Sequence, residues 1–277
     1  MATGPTHAMS GLLAWSGVCL AGVSGTASGA VGHAGLPLSV QTWAVGAALA
    51  TGAALLPDID HPESTIARTF GAVSEVASRG MHTLSHAVYR ATRTRKDANR
   101  HGGHRGLTHT LVFGFFAGLA TIAVINANQR WALPALLFVF CGLAVRGLLH
   151  EWTPRGDALA VTLVTAGLTW VCWRWLTPLA PGQAEWCGIA VITGCVAHYL
   201  GDAITEQGCP MLWPLPVLGK TWFPVAPPKA LRMRTGGSVE LMVVLPGLSL
   251  LAVWLTAATL HRLGMLPWLD RFSLLPT

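Results

Sequence analysis

Asp58, Asp60 and His61 stand together in "LLPDIDHPES", residues 55–64, between Pro57 and Pro62. Two carboxylates in so short a stretch suit a divalent cation, and the flanking prolines predict a stiff extended turn in which a helix is disfavoured. The stretch is not an EF-hand loop, because the further oxygen ligands and the glycine are missing. A solvated loop at a helix end is the plainer alternative. In "HYLGD", residues 198–202, His198 and Asp202 are four apart and project from one helix face. An imidazole beside a carboxylate suits zinc or manganese; a buried His–Asp hydrogen-bonded pair is the alternative. In "HRGLTH", residues 104–109, His104 stands just before a helix and His109 in its first turn. Gly106 allows an unusual backbone at the entry, and Thr108 can cap locally. Arg105 offers a forked contact to a phosphate or carboxylate. A basic loop against anionic lipid is the alternative there.

The elements that must position these groups are apolar. The chain has 277 residues, 52% hydrophobic and 11% charged, against about 25% charged in soluble domains. That composition predicts one polytopic membrane domain over residues 1–277, all-α, with about seven spans. The segments are 8–30, 38–57, 107–126, 131–150, 157–176, 186–205 and 240–260. The N-terminal run lacks a basic leader region, which predicts a retained helix. The six cysteines are scattered with no C-x-x-C pair, so they read as small buried residues and not as a disulfide framework. Several of the 12 tryptophans fall near segment ends, as in an interfacial belt.

Orientation follows from the basic loops. Residues 90–105 hold six Lys/Arg, and 220–234 hold Lys220, Lys229, Arg232 and Arg234. The positive-inside rule puts both in the cytoplasm, with the N-terminus inside and the C-terminus outside. Parity then brings Asp58, Asp60, His104, His109, His198 and Asp202 to the cytoplasmic face. His7, Glu240, His150 and Glu151 come to the same face, while His33, Glu185 and His261 are isolated on the other. Arg146, His150 and Glu151 read as a salt-bridged helix end.

Residues 64–90 read as an amphipathic surface helix, leading with the basic loop to 103. Ile66, Phe70, Val73, Ala77, Met81, Leu84 and Val88 recur at helical spacing, opposite Glu75, Arg79, His82, His86 and Arg90. His82 and His86 are expected to face solvent.

Five motifs in this order carry a family resemblance: "TH" at 6–7, "LLPDIDHPES", "HRGLTHT" at 104–110, "HYLGDAITEQGCPMLWP" at 198–214 and "RTGGSVE" at 234–240. Together they resemble the YdjM-like family of inner-membrane proteins, assigned by motif as metal-dependent hydrolases and also described as LexA-binding. The resemblance implies that His7, Asp58, His104, His109, His198, Asp202 and Glu240 belong to one polar site, and Asp60 and His61 match the same motif. The chain departs from the family in its long basic segment 64–103. "HYLGD" is also similar to an element of the helical zinc phospholipase C and single-strand nuclease family, which points to phosphoester chemistry.

The expected activity is metal-dependent hydrolysis of a phosphoester at the cytoplasmic face of the inner membrane. The cofactor is a divalent metal, zinc first, with manganese or magnesium as alternatives. Asp58, His104, His109, His198 and Asp202 are the leading ligands, completed by His7 and Glu240. Asp60 serves as general base or bridging carboxylate, and Arg105 stabilises developing negative charge. Membrane lipids are the expected partners and a lipid phosphoester the expected substrate; nucleic acid is disfavoured. Two other readings stand beside this one. A transporter would use the same groups as a proton or metal relay, although no repeated pair of broken helices is evident. A non-enzymatic regulator would bind a cytoplasmic protein through residues 90–105.

Overall fold

A computed structural model describes residues 3–22, 38–61, 64–98, 105–149 and 158–267. Its elements are α1 (Gly4–Gly22), α2 (Val40–Ala53), α3 (Thr65–Thr69), α4 (Ala72–Thr92), α5 (Leu111–Ala127), α6 (Gln129–Leu149), α7 (Ala158–Leu176), α8 (Gln183–Ala203) and α9 (Leu245–Arg262). Among the described residues there is no strand, only isolated bridges in the 205–233 loop. The chain is an all-α membrane bundle. Residues 40–60, 129–149, 159–176 and 240–262 form helices long and apolar enough to cross a bilayer, and α5 is a shorter apolar helix.

α2 and α8 are the most buried helices. α8 packs against α1, α2 and α5, and α1 packs against α2, α8 and α9. Without a hydrophobic drive between helices in lipid, close packing of small residues takes its place. Gly194 of α8 faces α2 so closely that a Cβ there would lie 2.3 Å from the Ala50 carbonyl oxygen. Gly52 of α2 meets α6 in the same way, with a Cβ 2.1 Å from the Phe140 oxygen. The outer faces of α5, α7 and α9 expose Phe115, Phe116, Leu163, Trp170, Leu250 and Val253, as lipid-facing surfaces do.

The expected surface helix differs from its sequence pattern. It breaks at Gly71, whose φ of 58° separates α3 from α4. Ile66 is buried, and Phe70 packs on Phe138 at 5.8 Å between ring centroids. In α4 the buried side is the serine row Ser74, Ser78, Ser85 and Tyr89, while Val73, Val76 and Leu84 point outward. Small hydroxyls let this helix sit close to the polar turns beneath it. Ser85 Oγ accepts a hydrogen bond from the Leu107 backbone N–H at 2.8 Å. His82 is therefore not a solvated residue: its Nδ1 lies 2.9 Å from the Asp60 carbonyl oxygen.

Candidate metal centre

α2 delivers the first pair of carboxylates. It ends at Ala53 and continues as a 3-10 turn, Leu56–Asp60. The expectation of an extended D-I-D-H segment is corrected here. Pro57 lies in the first turn, where its missing N–H costs no helical hydrogen bond. The chain becomes extended only at His61, at φ −107° and ψ 108°, as the residue before a proline prefers. The tight turn buries both Asp58 and Asp60.

α8 delivers His198 and Asp202, fully buried on one face. The turn Leu107–His109 delivers His109. Tyr199 of α8 donates its hydroxyl to the Thr108 carbonyl at 3.0 Å, tying that turn to the helix. Cys209 donates to the His109 carbonyl at 3.3 Å. Burial pushes the Cys209 thiol upward, so it remains a neutral donor. Thr108 does not cap α5, as its place in the sequence predicted; Thr110 does, accepting from the Phe113 N–H.

Four ligand atoms converge. His109 Nε2 lies 3.3 Å from His198 Nε2, 3.4 Å from Asp58 Oδ1 and 3.5 Å from Asp202 Oδ2. His198 Nε2 lies 3.6 Å from Asp58 Oδ1 and 3.8 Å from Asp202 Oδ2. Zinc sits about 2.0–2.2 Å from nitrogen and oxygen ligands, which separates tetrahedral vertices by roughly 3.3–3.6 Å. Five separations among these atoms, 3.3–3.8 Å, lie close to that spacing, so the donor set suits one such ion. Asp58, His109 and His198 form one three-ligand group, and His7, His198 and Asp202 another. The two share His198, which has a single nitrogen to offer because its Nδ1 is 2.7 Å from the Ala54 carbonyl.

The surrounding contacts orient both imidazoles. Asp60 Oδ2 lies 3.6 Å from His109 Nδ1, accepts the Thr108 hydroxyl at 2.6 Å, and faces the Gly106 N–H at 3.4 Å. Behind His109 the Thr108 hydroxyl, 3.1 Å from Nδ1, links the ring to the Asp60 carboxylate, and behind His198 stands the Ala54 carbonyl; both aim Nε2 inward, as in metal-bound histidines. Charge agrees with that fit. Asp58, Asp60 and Asp202 are buried carboxylates, and Arg105 is the buried cation among them. Buried charge must be balanced, and a divalent cation would balance the excess.

The other expected site residues fall into three groups. His7 is fully buried and stacks on His198 at 3.8 Å between ring centroids. Its Nε2 is 3.5 Å from Asp202 Oδ1, on the far oxygen of that carboxylate. Its Nδ1 has no hydrogen-bond partner among the described residues. Arg105 places Nε 3.0 Å from Asp202 Oδ2, and its terminal nitrogens donate to Thr205 Oγ1 and the Gly208 carbonyl. It adopts φ 57°, a left-handed backbone that costs a non-glycine residue energy. The unusual backbone thus falls on Arg105, one residue before the glycine expected to carry it. Glu240 is buried but tied elsewhere. Its oxygens accept from the Thr3 N–H and the Gly236 N–H, joining the start of the α9 segment to the start of α1. His104, His33, His150 and Glu151 lie outside the described residues. Thr205 and His82 support the site without having been singled out for it. Thr205 lies inside the long motif at 198–214, three residues after Asp202; for His82 the helical pattern pointed the other way.

The model of the YdjM inner membrane protein family matches residues 1–156 and 158–267. Over 130 residues the chain is 28% identical to inner membrane protein YdjM of Escherichia coli (strain K12) and to the protein of the same name from Shigella flexneri. The matched stretch is 47% of this chain and 51% of each relative, so the chain spans about half the length of the curated relatives it matches. No solved structure matches.

Proposed function

The chain belongs to the YdjM inner membrane protein family, and we propose that it is a metal-dependent hydrolase acting on a phosphoester at the membrane face. The observation that carries this reading is the convergence of His109, His198, Asp58 and Asp202 at 3.3–3.8 Å. A divalent ion held there supplies Lewis acidity toward an ester oxygen and lowers the pKa of water.

The chain's own groups then take distinct parts. His109, His198 and Asp58 make a three-ligand set, as catalytic zinc sites use. Asp202 Oδ2 lies 3.0 Å from Arg105 Nε, so Asp202 would add a fourth donor, an oxygen whose charge stays paired. Asp60 is a positioning residue, fixing the His109 ring from behind. His7 is the candidate for moving a proton, with Nε2 beside Asp202 Oδ1 and Nδ1 unpartnered. A Cβ at residue 201 would come within 3.3 Å of that Nδ1, and Gly201 keeps the space free. Asp58, at 8% exposure, is the most open of the four ligands.

The test joins metal analysis of purified protein to phosphate release from lipid phosphoesters in mixed micelles. Wild type should carry about one zinc and release phosphate in a metal-dependent manner. Asp58→Asn should lose both. A protein that is metal-loaded but cleaves only a soluble ester or peptide would overturn the phosphoester reading, and a metal-free active protein would overturn the whole.

A further inference from the structure

Beside the cluster lies a cavity of about 120 Å³, several times the space one water needs. Its walls include Arg105, Lys220, Tyr89, Trp222, Asp97 and Gly208. Arg105 is the shared wall: one edge of its guanidinium faces Asp202, and the residue also lines the cavity. The aromatic side is rigid. Trp222 stacks with Trp213 at 5.2 Å and meets Tyr89 at 5.1 Å between ring centroids. Both indole N–H groups donate to Thr92 Oγ1 at 3.1 Å.

The cavity's acid is already engaged. Asp97 accepts hydrogen bonds from the N–H groups of Thr94, Thr221 and Trp222 and from the Thr94 hydroxyl. Its carboxylate therefore clasps residues 94 and 221–222 together, with little capacity left for a ligand. Lys220 is half-buried and has no ion-pair partner among the described residues. A cavity with an unpaired ammonium, a guanidinium charge in its wall and an aromatic side selects an anion attached to a small organic group.

We propose that this cavity is the headgroup subsite of the protein, where Lys220 receives the phosphate of a phosphomonoester, the wall charge of Arg105 favours it, and Trp222 packs against its organic part. This subsite rests on the hydrolase reading for its substrate class, but its test does not require turnover. Arg105 stands between this cavity and Asp202, so recognition and the metal cluster share a single side chain.

The experiment is calorimetric titration of detergent-purified full chain with dihexanoyl phosphatidic acid, dihexanoyl phosphatidylcholine and inorganic phosphate. Metal content is measured on the same samples. Phosphatidic acid should bind and phosphatidylcholine should not. Lys220→Met should weaken phosphatidic acid about tenfold or more, the effect of losing one charge-assisted contact, with metal content unchanged. Lys220→Arg should restore most of the affinity. If inorganic phosphate binds as tightly with the same Lys220 dependence, the anion subsite stands and its source is soluble. Equal affinity in wild type and Lys220→Met, or equal binding of both lipids, overturns the subsite and leaves the metal cluster untouched. Loss of turnover with Lys220-dependent binding intact overturns the hydrolase reading instead.

Discussion

Asp60 stands behind His109, with Oδ2 3.6 Å from Nδ1, while the Nε2 on the other side of the ring faces the cluster. The two residues come from segments that meet only in the folded bundle, and Thr108 holds the same carboxylate oxygen. Asp60→Ala should therefore leave the four ligand atoms in place and weaken zinc by about 10–100-fold, the usual effect of losing such an orienting partner. Chelator competition on the purified variant measures it. Unchanged zinc affinity would remove Asp60 from the support of His109.

Arg105 is tested by its geometry. Arg105→Met strands the buried Asp202 carboxylate and should cost about 3–5 kcal/mol of stability. Arg105→Lys keeps the charge but loses the fork to Thr205 and Gly208, and should cost less, about 1–3 kcal/mol. Thermal unfolding in detergent ranks the three proteins. Equal midpoints for both variants would mean that charge alone, and not the fork, holds Asp202.

Close helix packing makes a different prediction. Gly194→Ala puts a methyl group against the Ala50 carbonyl, which should cost about 1–3 kcal/mol as overpacking. The displaced α8 carries His198 away from the Ala54 carbonyl that orients it, so zinc content should fall along with the unfolding midpoint. A lower midpoint with full zinc would separate packing from the site.

The Asp97 clasp depends on pH. Burial pulls this carboxyl upward, but the Thr94 and Trp222 N–H donors, the Thr94 hydroxyl and the Thr221 N–H outweigh it and hold the group below the ordinary carboxylate range. A depressed folded value means that the clasp stabilises the protein above the unfolded carboxylate pKa of about 3.9 and is lost as pH falls through the folded value below it. Limited proteolysis near residues 219–222 should be slow at neutral pH and accelerate in strong acid. Asp97→Ala should be cut readily at neutral pH and show no further change on acidification over the same range.

Much of the site was legible because charge in an apolar chain is conspicuous. Asp58, His198 and Asp202 stand out against membrane-length hydrophobic runs, and the expected parity of seven spans puts them on one face. Distances were beyond such reasoning. Nothing in a pattern distinguishes Glu240, which caps the α1 entry, from Asp202, which meets three imidazoles. The surface segment misled for a physical reason. Periodicity identifies an apolar side but does not say which side the protein buries, and here the serines of α4 face inward because the polar turn at 107–109 lies beneath them. The Pro57 turn was read as extended because a proline at the start of a 3-10 turn and a proline within a strand-like segment look alike in sequence.

The four converging ligands lie in chain order Asp58, His109, His198 and Asp202, and that order has a consequence for biogenesis. Translation at roughly 5–20 residues per second separates the first from the last by on the order of ten seconds. Until α8 is made, the chain holds only Asp58 and His109 of the four. The helix that brings the last two of these residues is also the one that packs on α1, α2 and α5, so completion of the proposed ion site and closure of the bundle would be a single late event, after most of the chain has left the ribosome.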